Sequence, residues 1–285
     1  MREPQEIGAE LGVTAHFDPR REVEERIAFL KEYLVAAHMR SYVLGVSGGV
    51  DSLTAGLLAQ SAVRELRENG YEAEFVAVRL PYGRQADEQD AQCALAAIRP
   101  DKMVTVNIRA AADAMMADLK AGGFKAESAG HEDFLLGNIK ARQRMIAQFA
   151  LAGASRGLVI GTDHAAEAVM GFFTKFGDGA ADILPLSGLT KRRVRALATA
   201  LGAPDGLIYK TPTADLESNA PLRPDEDAYG VTYDQIDDFL EGKTIDEIAH
   251  QRIINAYLLT AHKRALPVSV HEFLPGARSL SAQVR

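Results

Sequence analysis

Cysteine is almost missing from this 285-residue chain, which holds one, Cys93. A single thiol excludes an internal disulfide, a CxxC redox pair and a cysteine-built metal site, and it fits a reducing cytoplasm. Positive charge is not in excess either. The net charge is −7 and there is no basic tail, which disfavours a nucleic-acid partner. No apolar run reaches the ~18 residues that cross a bilayer. The opening "MREPQEIGAE" is too polar for a secretory leader, so the expectation is a soluble, cytoplasmic protein with no membrane association. Repeats and low-complexity stretches are absent as well. What remains is an ordinary globular composition, 47% apolar and 25% charged, long enough for one large domain or two small ones.

One further absence poses the chemical question. Residues 44–52 read "LGVSGGVDS", a glycine loop after an apolar run, yet no Gly-Lys-Ser/Thr ending follows. The lysine that a P-loop lends to the terminal phosphates is therefore missing.

Apolar runs at 42–46, 74–80, 102–108 and 157–162 predict buried strands, and 182–186 ("DILPL") is a candidate fifth. Helical patterns fill the intervals: 20–39 before the first strand, then 51–69, 88–98, a stretch ending near 120, 132–153, and one from 163 onward. Strands alternating with helices predict parallel pairing and right-handed crossovers. After about 186 the pattern turns helical, broken by "KTPTADLESNAPLRPDED" (210–227), a loop long enough to be a lid. The expected fold is a single α/β domain over 1–285, a Rossmann-like doubly wound parallel sheet with extra C-terminal helices.

In such sheets ligands bind beyond the carboxyl ends of the strands, where strand order reverses. "SGGVDS" sits at such an end and opens a helix, whose dipole and amides favour an anion. Gly48 and Gly49 let backbone approach phosphate, and Ser47 and Ser52 offer hydroxyls. Asp51 would repel phosphate directly; its natural use is to hold Mg²⁺. In "GTDHAAE" (161–167), Asp163 and Glu167 lie one turn apart. With a 3-2-1-4 strand order, Asp51 and Glu167 share one crevice and one Mg²⁺. Asp163 reads as a helix cap, or else as a further ligand.

The loop S-G-G-x-D-S resembles that of the N-type ATP pyrophosphatases, adenine nucleotide alpha hydrolase-like enzymes that split ATP between its α and β phosphates. Holding a departing pyrophosphate needs no lysine poised for γ-phosphoryl transfer. Within that superfamily the chain resembles the ammonia-dependent NAD synthetases. The matching segments are "GVSGGVDS", "VRLPYG", "GNIKARQRM", "GTDHAAEAVMGFFTKFGDGAADILPLSGLTKRRVR", "YKTPTADL", "GVTYDQIDDFLEG" and "AHKR", spanning about 40–265.

The resemblance implies ATP-dependent amidation of deamido-NAD by ammonia, through an adenylated carboxylate, to NAD, AMP and pyrophosphate. It implies that Gly45, Val46, Ser47, Gly48, Gly49, Val50, Asp51 and Ser52 bind ATP, with Arg79, Thr162, Lys191 and Thr213. Asp51 and Glu167 would hold Mg²⁺. Arg142, Lys175, Asp182, His262 and Lys263 would contact the dinucleotide. Asp178 would lie by the nicotinate and the incoming ammonia, as base or as shaper of its loop; Asp51 and Lys191 join it as the catalytic set. The family is homodimeric, with the dinucleotide site at the subunit interface. Two departures stand out. "DGAAD" carries Ala180 where a third glycine is usual, and "TAHKR" lacks the acidic residue that commonly precedes the histidine.

Several residues carry plainer expectations. Arg142 falls at i+7 within the stripe Leu135, Ile139, Ile146, Phe149, so its charge must meet a carboxylate, a phosphate or a subunit seam. "KRRVR" (191–195) reads as a solvated helix face, with Lys191 alone presented to phosphate just after Thr190, an expected cap. Cys93 is expected in the core, His164 as a hydrogen-bonded structural residue, and Gly242 as a helix C-terminal glycine.

Other functions fare worse. Thiolating pyrophosphatases need a cysteine pair and a basic surface, and GMP synthetase needs another domain. The length leaves no room for a glutaminase domain, so free ammonia is the expected nitrogen donor. A non-catalytic nucleotide binder would not need two metal carboxylates and a lid.

Overall fold

A computed structural model describes residues 3–83, 87–213 and 223–270. Helices α1 (Pro4–Glu10) and α2 (Pro19–Ala36) precede β1 (Ser41–Gly45), and α3 (Val50–Glu68) follows it. Then come β2 (Glu74–Arg79), α4 (Glu88–Ile98), β3 (Lys102–Thr105), α5 (Arg109–Ala121), α6 (Ala129–Ala154), β4 (Gly157–Val159) and α7 (Ala165–Met170). The remainder is helical: α8 (Lys191–Ala200), α9 (Asp205–Ile208), α10 (Asp225–Tyr229), α11 (Tyr233–Leu240), α12 (Glu247–Leu259) and α13 (Ala261–Arg264).

The strands form one parallel sheet in the order β3-β2-β1-β4, as the sequence pattern predicts. Successive strand residues point to opposite faces. Tyr42, Leu44, Phe75 and Ala77 therefore enter one core with α2, α3 and α8, while Val43, Val76, Val78 and Val159 enter another beneath α6. Covering both faces is what allows these strands to be almost continuously apolar. Strand order reverses between β1 and its neighbours β2 and β4, so the carboxyl end of β1 opens a crevice.

The expected fifth strand does not form. Only Ile183 pairs, as a single parallel bridge to Ile160. Asp182 already places its carboxylate on the Val159 amide, 2.7 Å away, and Pro185 has no amide to donate, so no ladder can extend. Cys93 is exposed, contrary to expectation. The buried stripe of α4 runs through Ala91, Ala94, Leu95 and Ile98, and residue 93 points away from it.

A separate core joins the C-terminal helices to the start of the chain: Ile7 of α1, Val169 of α7, Tyr233, Ile236 and Phe239 of α11, and Ile253 and Tyr257 of α12. Gly8 lies on α11 so tightly that an added Cβ would stand 2.4 Å from the carbonyl oxygen of Leu240. Gly8→Ala is thus expected to push α1 off α11 and cost about 1–3 kcal/mol, as overpacking does. Urea unfolding checks this; an unchanged midpoint would refute the contact.

Candidate active site

The crevice is a cavity of about 420 Å³ lined by the loop after β1, the ends of β2 and β4, α6, and the segments around Thr213 and Asp225. Gly49 is the extended N-cap of the 19-residue α3. Gly48 has φ +95°, and a Cβ there would lie 2.7 Å from the amide nitrogen of Ala91, so only glycine lets the loop pass α4. The serines shape the loop. Ser47 Oγ accepts from the Gly49 amide at 3.2 Å, and Ser52 Oγ accepts from the Ser47 amide at 3.2 Å and donates to Gly49 O at 3.1 Å. The Ser47 and Gly49 amides are thus engaged within the loop, and the first-turn amides of α3 with the helix dipole remain as the anion site.

Below the loop lies a cluster of buried charges. Asp51, in the first turn of α3, receives Lys191 Nζ at 2.7 and 3.0 Å on its two oxygens. His164 is the N-cap of α7. With the ring neutral, Nδ1 accepts from the Glu167 amide at 3.4 Å, a long contact that protonation of the ring gives up, and Nε2 lies 3.4 Å from Asp51 Oδ1 and 3.5 Å from Glu167 Oε1. Lys191 is 1% exposed. It begins α8, where Thr190 caps the helix as expected and Asp237 of α11 accepts from the amides of Lys191 and Arg192 at 3.0 and 2.7 Å.

These groups set one another's charge. Burial would raise Asp51, but Lys191 and His164 outweigh it and hold the carboxyl far below its ordinary range. Burial would lower His164, but Glu167 and Asp51 carry it up to about 9. Lys191 is likewise held charged, against burial, by Asp51 and Glu167. Asp163 is pushed up to about 8 by burial and by Glu167 and Asp178. Asp178 is exposed, and its Oδ1 accepts from the Thr174 amide at 3.0 Å. Asp163 is not the cap it was expected to be: the extended backbone falls at His164, whose ring nitrogen reaches the helix amide instead.

The other expected ATP residues also face the cavity. Gly45, Val46, Ser47, Gly49, Val50 and Ser52 line it, with Gly48 behind the loop. Arg79, Thr162 and Thr213 line it too, and Arg79 bonds Val46 O and, at 2.8 Å, Glu88.

The expected dinucleotide residues are more scattered. Lys263 lines the cavity, with Nζ on Gly171 O at 2.8 Å and Phe173 O at 3.0 Å. Arg142 donates to Lys175 O at 3.2 Å, and Lys175 Nζ donates to His262 O at 2.6 Å, so these three gather near one another outside the cavity lining. Arg142 is exposed, because its stripe faces outward: Ile146 and Phe149 are exposed with it. Asp182 is apart, with Oδ2 on Val159 N.

"KRRVR" is not a solvated face. Arg193 is buried against Glu241, at 3.3 Å, and Arg192 pairs with Asp238 and Glu241 at 3.1 Å, since α8 lies against acidic α11. Gly242, with φ +72°, follows α11 as expected. The middle of the expected lid, 214–222, lies outside the described residues. Its flanks are tied down, Thr213 by a bridge to Pro224 and Lys210 by Asp90, at 2.6 Å.

Sequence reasoning missed Asp225. It is 6% exposed, at the start of α10, and its Oδ2 accepts from Tyr233 Oη at 3.0 Å while Oδ1 has no hydrogen-bond partner. Burial and the charges of Glu167 and Asp51 push it up to about 6. In "RPDED" it looks like one of several first-turn acids, and no spacing marks it out.

A doubly wound parallel sheet with an anion loop at its switch point, and two acids beneath it from the helices that follow adjoining strands, defines the class of nucleotide-using α/β enzymes. Comparison with known proteins narrows this. The family model described as NAD synthase matches residues 22–267, and the chain belongs to that family. It is 61% identical to the NH(3)-dependent NAD(+) synthetase of Burkholderia pseudomallei strain 1106a, over 95% of each chain. Among solved structures it resembles NAD+ synthetase from Burkholderia pseudomallei, with TM-score 0.81 and 59% identity over 94% of this chain and 99% of that one. It also resembles NMN synthetase from Francisella tularensis, with TM-score 0.77 and 35% identity over 89% and 99%. The protein is a ligase that forms a C–N bond in the final step of NAD biosynthesis. No described helix is long and apolar enough to cross a membrane.

The charge of His164 should show in stability. Its folded-state value of about 9 lies above the ordinary 6.5, so its contribution is full below pH 6.5 and disappears as pH rises through about 9. Thermal melts from pH 6 to 9.5 should lose stability over that window. His164→Gln should flatten the profile and lower stability at pH 6 by roughly 1–3 kcal/mol. An identical profile in the variant would show that His164 is not held charged.

Proposed function

We propose that the enzyme amidates deamido-NAD with free ammonia and ATP, and that the Asp51–His164–Glu167–Lys191 cluster under the phosphate loop is where ATP is activated. That cluster carries the reading. The side-chain ligand atoms of Asp51, His164 and Glu167 lie within 4.8 Å of one another. Mg²⁺ prefers oxygen, so the two carboxylates suit it and His164 acts as the hydrogen-bonding bridge between them. Mg²⁺ there, when bound, supplies charge to offset the phosphates.

The first-turn amides of α3, the Ser47 and Ser52 hydroxyls and Lys191 hold the triphosphate, and Arg79, Thr162 and Thr213 hold the rest of ATP. The nicotinate carboxylate attacks the α-phosphorus. Its oxygen forms the new P–O bond, the α–β bridge breaks, and pyrophosphate leaves toward the loop. Ammonia then adds to the acyl carbon, the C–O bond to AMP breaks, and the spare proton passes to a carboxylate. Asp178 is that base. It lines the cavity, and its carboxylate is exposed there and held by the Thr174 amide, where it can take the proton that ammonia gives up.

Arg142, Lys175, Asp182, His262 and Lys263 hold the dinucleotide, and a second copy of the chain completes that site. Exposed apolar side chains on the neighbouring helices α5 (Met115, Leu119) and α6 (Ile146, Phe149) support this dimer. The protein works in the cytoplasm, without nucleic acid or membrane.

Product analysis tests the activity: NAD, AMP and pyrophosphate should form together with ammonium, and deamido-NAD should be preferred over the acid form of NMN. Preference for the mononucleotide would move the function toward the Francisella relative. Asp178→Ala is expected to lose at least about a hundredfold in NAD formation. It should still release pyrophosphate, so the single-turnover ratio of pyrophosphate to NAD rises well above one. A ratio held at one would leave Asp178 only a loop-shaping role. Ile146→Asp should convert a dimer to a monomer in light scattering and raise KM for deamido-NAD; a dimer that persists would refute the seam.

A further inference from the structure

Lys191 sits in a place that is awkward for a lysine that serves phosphate. Its Nζ engages both oxygens of Asp51, at 2.7 and 3.0 Å, and lies 3.5 Å from His164 Nε2. A divalent cation on Asp51 would need one of those oxygens at ~2.0–2.1 Å, in near-ideal octahedral geometry. The ammonium and the metal would then be like charges in contact with one carboxylate, inside a site that screens little. Both cannot hold Asp51 in this way.

The lysine cannot leave for open solvent. It is 1% exposed, and its Nζ lies 4.8 Å from the centre of the Tyr233 ring. A displaced ammonium must therefore find another acceptor within the cavity wall. Among the described residues of the wall two carboxylates keep a buried oxygen without a hydrogen-bond partner, Asp87 and Asp225; Asp87 already has Lys210 at 3.5 Å, which leaves Asp225. Asp225 is 6% exposed and lines the same cavity, and its Oδ1 is buried without a hydrogen-bond partner. Tyr233 links the pair, with its ring against Lys191 and its hydroxyl on Asp225 Oδ2 at 3.0 Å. Tyr229 Oη in turn lies 3.2 Å from Tyr233 Oη, which fixes the ring. Burying half of a carboxylate unsatisfied is costly, and a nearby cation that arrives only in another state explains why it is kept.

We infer that Lys191 is the resident cation of Asp51 in the nucleotide-free enzyme, and that Asp225 is a positioning residue that receives this ammonium when a divalent cation takes Asp51. The exchange rests on the reading of Asp51 and Glu167 as metal ligands. It makes metal entry the event that frees Lys191 for phosphate, so the two positive charges reach ATP together. Until then, the lysine is the nearer of the two cationic side chains on Asp51, with His164 Nε2 at 3.4 Å beside it.

Mn²⁺ binding to the full-length, nucleotide-free protein tests this, with free Mn²⁺ followed by electron paramagnetic resonance. Lys191→Met removes the competitor and should bind Mn²⁺ at least about tenfold tighter than wild type. Asp225→Asn should bind it several-fold more weakly, and that loss should vanish in the Lys191→Met background, where no ammonium needs a new partner. Equal or weaker binding by Lys191→Met overturns the exchange. So does an Asp225→Asn loss of the same size in both backgrounds, which would make Asp225 a metal ligand. Asp51→Asn separates the layers: lost binding there with Lys191→Met unchanged refutes the exchange alone, and retained binding refutes the metal reading with it. Wild-type protein gives a check that no folding defect can confound. The ¹⁵Nζ resonance of Lys191 should shift on saturation with Mg²⁺, and a resonance that stays put overturns the inference.

Discussion

Two carboxylates from different helices, Asp51 of α3 and Glu167 of α7, must share one confined spot, and much of the molecule serves that constraint. Carboxylates so placed repel each other unless cations lie between them. The fold supplies those cations on separate elements. His164 comes with α7 at the end of β4, and Lys191 comes 140 residues after Asp51 at the start of α8. Neither is held by its own helix alone. The α8 terminus is capped by Asp237 of α11, and α11 is anchored in the core it shares with α1, α7 and α12. The C-terminal helices thus belong to the site, since without α11 the amides that begin α8 would lose their acceptor.

The path from sequence to site was clearest where one local signal carried the whole answer. The strand order followed from alternating strand and helix patterns. The loop at 47–52 followed from two glycines between an apolar strand and a helix. Asp51 and Glu167 followed from their positions just beyond neighbouring strands. The misses share a physical cause, which is that they were decided by contacts between distant segments. "DILPL" has strand composition, but Asp182 takes the amide that a ladder would use. "KRRVR" looks solvated until α11 brings Asp238 and Glu241 against it. Asp225 is one of three acids in a row in the first turn of α10, and only the fold shows which of them is buried. Arg142 shows the reverse. Its stripe is real, but within one chain it faces outward, so helical spacing located an apolar face without saying what covers it.

His164 illustrates how one residue can serve two levels of structure. As N-cap of α7 it gives Nδ1 to the Glu167 amide, which leaves Nε2 to face the two carboxylates. A serine or aspartate would cap the helix equally well. An aspartate would add a third negative charge to the cluster, and a serine would leave the carboxylates with Lys191 alone. Histidine can meet either demand, capping through a bare Nδ1 when neutral and bridging the carboxylates as a cation when protonated, which neither serine nor aspartate can do.

On the proposed reading, the lysine missing from the glycine loop has its counterpart in Lys191. A lysine within the loop would ride on the same backbone as the phosphate-binding amides and could not be moved independently of them. Placed on α8, it arrives from across the crevice and is positioned by α11, so its partner can change while the loop keeps its shape. That separation suits a reaction in which the leaving group is pyrophosphate. In that proposed mechanism the loop holds the departing phosphates, while the charge at the α phosphorus changes only as the bridge breaks. A fixed anion cradle on one element and a cation delivered from another meet both demands, and the spacing between residues 51 and 191 is the sequence's record of that division.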